Sequence, residues 1–272
     1  MSRSNKTAGS MADHADRHVL YEDSVQDPDS ELEFVAETFA DLTGRRLRTI
    51  REDFCGTANT ACHWVRAGPD HRSVGVDLDA DVLEWGRAHH LARLSAEQRS
   101  RIELIEADVL VAATKPVDAL LAMNFSYYLF TTRELLRAYF ARARSALAPD
   151  GVLFLDAFGG YDAHRELEER TEYDDFTYVW DQASFDPIHH HMTCRIHFEF
   201  TDGSSIQRAF EYHWRLWTLP EIRELLAEAG FAEVTVYWEG TDEETGEGNG
   251  IYEPAEIGEA DAGWICYLVA RR

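Results

Sequence analysis

Three short segments carry the residues best placed for ligand chemistry. Glu52-Asp53-Phe54-Cys55-Gly56-Thr57-Ala58-Asn59 sets two acids, a cysteine and one glycine at the end of a short strand. Gly75-Val76-Asp77-Leu78 ends a second strand on a carboxylate, and Glu106-Ala107-Asp108-Val109 does the same for a third. Asn124 closes a fourth, nearly continuous apolar strand. In an open parallel sheet, ligands bind where the strands end at their carboxyl side. A carboxylate after the second strand, following a glycine-bearing first turn, suits a ribose whose hydroxyls need an acceptor. Leu78 beside it offers an apolar surface to one face of an adenine. A dinucleotide pyrophosphate asks instead for Gly-x-Gly-x-x-Gly, and Gly56 has no glycine partner in that register.

Other reactive types are better read as framework. Cys55, Cys62, Cys194 and Cys266 form no Cys-x-x-Cys pair, so neither a disulfide scaffold nor a cysteine zinc site is expected. In the His189-His190-His191 run, successive strand residues face opposite ways, so only His189 and His191 can share a ligand. Three or four convergent ligands are needed for zinc, and no metal is expected. Tyr127, Tyr128, Trp180, Tyr212 and Trp214 could cage a cationic amine, although such residues more often fill a core.

The elements that must position these groups follow from periodicity. Helices are expected from a capping box at Ser30–Glu33 to Gly44, over Asn59–Val65 and Asp81–Leu94, from Thr131–Glu134 to about Leu147, and from Thr218–Glu221 to Gly230. Strands are expected at 47–54, 73–77, 102–105, 117–123, 152–156, 234–238 and 264–270. The alternation implies a doubly wound α/β sheet of seven main strands, mostly parallel, with the last pair antiparallel. Between 160 and 217 the period becomes two, without helices, which reads as an inserted antiparallel sheet. The expected organisation is a loose tail over 1–18, a main domain over 19–159 and 218–272, and a lid over 160–217. The acidic, glycine-rich 240–263 reads as a long surface loop or lid.

Composition bounds the partners. Among 272 residues stand 50 Asp and Glu against 26 Lys and Arg, a net charge of −24. Such a surface repels nucleic acid and anionic membrane. No apolar run approaches the roughly 18 residues of a membrane span, and residues 1–18 hold no leader-type hydrophobic stretch. A reduced, cytoplasmic setting is expected.

Together the segments resemble class I S-adenosylmethionine-dependent methyltransferases, from about Tyr21 onward, of the small-molecule kind with an inserted lid, such as the glycine and sarcosine methyltransferases. Cys55-Gly56-Thr57 matches the middle of that family's glycine-rich motif, with Glu52 as its acid. Phe54 and Ala58 stand where the family usually has glycine. Gly75-Val76-Asp77 matches the ribose-binding motif, and Glu106-Ala107-Asp108-Val109 the one that reads the adenine. Leu147-Ala148-Pro149-Asp150-Gly151 matches the approach to the fifth strand, and Ala229-Gly230-Phe231 the approach to the sixth.

The resemblance implies a cofactor, S-adenosylmethionine (leaving as S-adenosylhomocysteine), and a small-molecule acceptor. It implies a cofactor set of Tyr21, Glu52, Cys55, Gly56, Asp77, Leu78, Asp108, Val109 and Asn124, with residues 1–28 folding over the cofactor and serving activity more than stability. Parity in the inserted sheet puts Met192, Cys194, Ile196 and Phe198 on one face and His191, Arg195 and His197 on the other. Two placements follow. Either the polar face is solvated and its ions pair across strands, or Arg195 or Arg215 clamps an acceptor carboxylate while His213 or His191 takes a proton. Tyr127 is a further catalytic candidate, and Tyr128 and Trp214 are candidate acceptor contacts. A protein methyltransferase, a nucleotide-binding oxidoreductase and a non-catalytic binding module are the competing functions; the stretch after the fourth strand lacks the paired glutamates of arginine methyltransferases.

Overall fold

In the computed structural model, residues 9–242 and 248–272 are described. They divide into two compact units, one of Met1–Gln26 with His164–Leu216 and the other of Asp27–Ala163 with Trp217–Arg272. The second begins with α3 (Pro28–Thr43), which follows α1 (Met11–His14) and α2 (Arg17–Val25) of the first. Helix α3 is capped by Asp27, whose carboxylate accepts from the Ser30 amide at 3.2 Å, three residues ahead of the expected cap. Pro28 explains the shift, because its fixed φ suits the first helical position. At the other end Gly44 takes φ +71° and stops the helix.

A βα alternation then builds the sheet: β1 (Thr49–Asp53), α4 (Asn59–Ala67), β2 (Arg72–Asp77), α5 (Ala80–His89), the short α6 (Ala96–Arg99), β3 (Ile102–Glu106) and β4 (Val117–Ala122). Helix α7 (Arg133–Ala146) leads into β5 (Leu147–Gly159), and β1 to β5 pair in parallel. One face of β1, β4 and β5 is covered by α3 through Leu32, Val35 and Phe39, packed on Ile50, Leu121 and Phe154. The burial of β4 and β5 on both faces is what their near-continuous apolar runs imply; β1 is buried although it carries Arg51, Glu52 and Asp53.

After the insertion, α8 (Leu219–Glu228) starts at the expected Thr218–Glu221 capping box, with Thr218 accepting from the Glu221 amide. Strands β10 (Glu233–Thr241), β11 (Gly248–Ala255) and β12 (Trp264–Arg271) complete the sheet. The strand order is β11-β10-β12-β5-β4-β1-β2-β3, with β12 antiparallel to both β5 and β10. Strand β11 is an eighth strand inside the stretch expected to be a loop. Its glycines and acids hide it from periodicity, and as an edge strand it needs only one partner. Residues 243–247 of that stretch lie outside the described residues. No described helix is long and apolar enough to cross a membrane.

The other unit is a four-stranded antiparallel sheet, β6 (Leu167–Glu172), β7 (Phe176–Asp186), β8 (His191–Phe200) and β9 (Ser205–Arg215). Met192, Cys194, Ile196, Phe198 and Phe200 are all buried, as parity implies, and so is His197 of the other face, beside the register shift between Ile196 and Phe198. Residues 9–18 are not a loose tail. A capping box at Ser10–Asp13 opens α1, and the Met11 and Ala12 amides bond to Asp202 and Ser204 at 2.8 and 3.1 Å. Helix α2 then lays Leu20 and Tyr21 on Phe198, Phe210 and Tyr212 of the apolar face. The segment is therefore part of a core. Leu20→Ala should cost about 2–4 kcal/mol, read as a lower urea midpoint by the fluorescence of Trp180 and Trp214. A loss below about 0.5 kcal/mol would show that α2 is only laid on the surface.

Candidate functional site

The turn from β1 to α4 carries three left-handed residues in alternation: Phe54 at φ +59°, Gly56 at +51° and Ala58 at +59°. The two positions that lack glycine thus keep glycine's backbone. Each non-glycine residue there is strained by roughly 1–2 kcal/mol, so its surroundings must hold it. The Phe54 ring packs with Phe130 and Tyr139 at 6.1 and 5.6 Å, and Ala58 is buried with Cys55, Ala61 and Leu83. A Cβ on Gly75 would stand 2.8 Å from the Cys55 sulfur, and one on Gly86 of α5 would collide with the Thr57 carbonyl. Gly86 went unnoticed in the sequence; its only signal is a glycine in a helical pattern with no turn nearby. By contrast, a Cβ on Gly56 would meet nothing within 4 Å, so that side of the turn is open.

Ala58 has no side chain to cap α4. Glu52 does this instead, its Oε2 accepting from the Ala61 amide at 3.1 Å. Burial pushes its carboxyl up to about 8, with the Asp77 charge adding to it and the Ala61 amide opposing it. Glu52 therefore serves the turn. The next acid, Asp53, lies on the opposite face of β1, 2.7 Å from Arg51 Nε, and accepts from the Tyr139 hydroxyl at 3.1 Å. Burial raises it to about 6 against the pull of Arg51. Cys55 is buried, and burial holds its thiol far above the ordinary range, which removes it as a nucleophile.

Asp77 stands at the end of β2 with Oδ2 2.8 Å from the Gly56 amide and Oδ1 2.9 Å from the Asp79 amide. The cap of α5 is Asp79, not Asp77, so Asp77 ties two strand ends together at the open turn. Leu78 beside it is 70% exposed, an unusual place for a leucine. Asp108 is exposed and turns back on the Leu110 amide at 2.8 Å, while Val109 is buried.

Beyond β4, Asn124 and Phe125 are both left-handed, at φ +56° and +55°. Their amides donate to the two oxygens of Asp156 at 2.7 and 2.8 Å. Burial pushes Asp156 up to about 7, and those two amides oppose it. Asp156 was not singled out in the sequence, although it ends the apolar run Val152–Leu155. Tyr127 is fully buried and donates to the Asp156 carbonyl at 2.7 Å; Tyr128 is buried and donates to the Phe158 carbonyl. Both belong to the core, which corrects their expected catalytic and acceptor roles.

On the polar face of the inserted sheet, ions pair across strands, while His197 is buried. Arg195 donates to Glu211 at 2.7 Å and lies 3.7 Å from Asp181, so its fork is occupied across strands. His213 is exposed, 3.4 Å from Glu211, and His191 is exposed opposite Arg215, which is half-buried. Trp214 stacks on Tyr212 at 4.5 Å within the buried face, and Tyr21 lies 4.9 Å from Phe210. Among the described residues no three metal-ligating side chains converge.

Residues 55–153 match the protein family described as a methyltransferase domain. No curated protein matches the sequence. Several solved structures share the fold. An S-adenosylmethionine-dependent methyltransferase from Clostridium acetobutylicum is 16% identical at a TM-score of 0.67, over 93% of this chain and 96% of that one. CalS10, an amino pentose methyltransferase from Micromonospora echinaspora, is 17% identical at 0.65 over 94% and 95%. The sugar N-methyltransferase KedS8 from a Streptoalloteichus species is 18% identical at 0.61 over 100% and 96%.

Two outcomes follow from the turn. Gly86→Ala should force α5 off the Thr57 carbonyl and cost about 1–3 kcal/mol, measured by denaturant unfolding; an unchanged midpoint would show that the contact yields freely. The raised carboxyls of Glu52 and Asp156 set a pH trend. Each favours the protonated form in the folded state, so its contribution is complete below about pH 4 and is lost as pH rises towards about 7–8. Stability should fall from pH 5 to 8, and Glu52→Gln should flatten that fall. An equally steep fall in the variant would remove Glu52 from the account.

Proposed function

We propose that this chain, a class I S-adenosylmethionine-dependent methyltransferase by its domain and its fold, methylates a small-molecule acceptor. The observation that carries the reading is the Asp77 carboxylate, fixed 2.8 Å from the Gly56 amide beside an open turn. A ribose needs such an acceptor where strands β1 and β2 end. The residues fit the cofactor. Asp77 would accept from the ribose hydroxyls, exposed Leu78 would cover one adenine face, and Asp108 with the Val109 amide would read its edge. Asn124, held left-handed by Asp156, would border the methionine end. The bound cofactor supplies an electrophilic sulfonium methyl, so the protein's part is to align the acceptor and exclude water.

The likeness to CalS10, an amino pentose methyltransferase, and to KedS8, a sugar N-methyltransferase, favours a polar, sugar-sized acceptor. With Arg195 already paired to Glu211, a carboxylate clamp on that arginine loses its support. The net charge of −24 weighs against nucleic acid and anionic membrane as partners. Four buried cysteines, none joined in a disulfide, suit a reducing, cytoplasmic setting.

Asp77→Ala should weaken S-adenosylmethionine binding by about 1.5–3 kcal/mol, the size of charge-assisted hydrogen bonds, in calorimetric titration. A folded variant with an unchanged Kd would overturn the ribose assignment, and a wild type without binding would overturn the function.

A further inference from the structure

One acid of the Asp27–Ala163 and Trp217–Arg272 unit has no structural task. Glu31 lies in the first turn of α3. It shares a helix face with Phe34 and Val35, three and four residues on; Val35 is fully buried, and Phe34 stacks on Tyr267 at 4.5 Å. Two residues before Glu31, Asp29 reaches His63 of α4 at 2.9 Å. The turn thus spans from α4 to β12, across the carboxyl ends of β1 and β5, where Glu52 and Asp156 stand; Tyr267 is the register partner of Asp156. Glu52 and Asp156 each hold backbone amides. The Glu31 amide donates to the Asp27 carbonyl at 3.0 Å, but its carboxylate has neither a hydrogen bond nor an ion pair among the described residues.

A largely desolvated carboxylate without a donor, on the helix face of Phe34 and within electrostatic reach of Tyr267, which stacks on Phe34, is a complement for a cation. We propose that the acceptor is an amine and that Glu31 receives it. The carboxylate pairs with the ammonium and then takes one proton from it. An N–H bond breaks, an O–H bond forms, and the electron pair stays on nitrogen, ready to attack the methyl carbon. The inference rests on methyl transfer as proposed above and adds the acceptor's class and the residue that prepares it. Burial, then the charges of Asp156 on β5, Glu52 on β1 and Asp27 at the helix cap, push Glu31 up to about 8. A carboxylate so placed is matched to an amine's proton near neutral pH.

Calorimetry separates the two readings. Wild type is first titrated with S-adenosylmethionine; absence of binding counts against methyl transfer itself. Wild type, Glu31→Gln and Glu33→Gln, each saturated with S-adenosylhomocysteine, are then titrated with cyclohexylamine and with neutral cyclohexanol. Wild type and the exposed-site variant Glu33→Gln should prefer the amine at least tenfold. Glu31→Gln should lose that preference while its cofactor Kd stays within threefold. Removing an unpaired buried charge should not unfold the protein, and Glu31→Asp, with its shorter reach, should fall between. Amine affinity in the wild type should climb from pH 6 to 8 as Glu31 ionises, and stay flat in Glu31→Gln, a difference that a packing role would not produce. A preference surviving in Glu31→Gln, no preference in the wild type, or loss of the cofactor in Glu31→Gln would each overturn the proposal.

Discussion

A carboxylate that accepts backbone amides at a strand end recurs through the parallel sheet, and the crevice is framed by it. Glu52 holds Ala61, Asp77 holds Gly56 and Asp79, and Asp156 holds Asn124 and Phe125. Each of these amides lies in a turn or a first helical turn, where no backbone acceptor is in reach. Without Glu52 the buried Ala61 amide would be orphaned, at about 1–3 kcal/mol. With the acids in place, the chain adopts left-handed conformations at Phe54, Ala58, Asn124 and Phe125, none of them glycine.

That arrangement crowds negative charge. Glu52 and Asp156 are lifted towards neutral pH by burial, and Asp77 adds to the burden on Glu52. A cation brought beside Glu52 and Asp77 would relieve repulsion already built into the fold.

Much of this was legible from residue order. The strand-end positions of Asp77, Asp108 and Gly56 followed from the alternation of strands and helices, and the parity of β8 separated buried Ile196 and Phe198 from paired Arg195 but not from His197, which is buried as well. What escaped depends on contacts between distant segments. Gly86 matters only because Thr57 lies against it, and Asp156 only because the β4 turn needs two acceptors. Tyr127 and Tyr128 have chemistry-bearing side chains, yet their hydroxyls are used by carbonyls of β5. Helix α1 looked like tail because the partners of its first amides, Asp202 and Ser204, lie some 190 residues later.

The insertion of β12 between β5 and β10 also governs how the molecule can be made. Strands β1 to β5 can pair as they emerge, since each neighbour is already present or follows within one helix. The β10–β11 hairpin cannot join them, because the strand that links it to β5 is Trp264–Arg271. During synthesis the β5 edge, with Leu153, Phe154 and Leu155 on it, stays unpaired for about a hundred further residues. Such an edge invites pairing with another chain. Folding of this sheet is therefore completed from its end, and a nascent chain stalled before residue 264 should be a substrate for chaperones rather than a partly working enzyme.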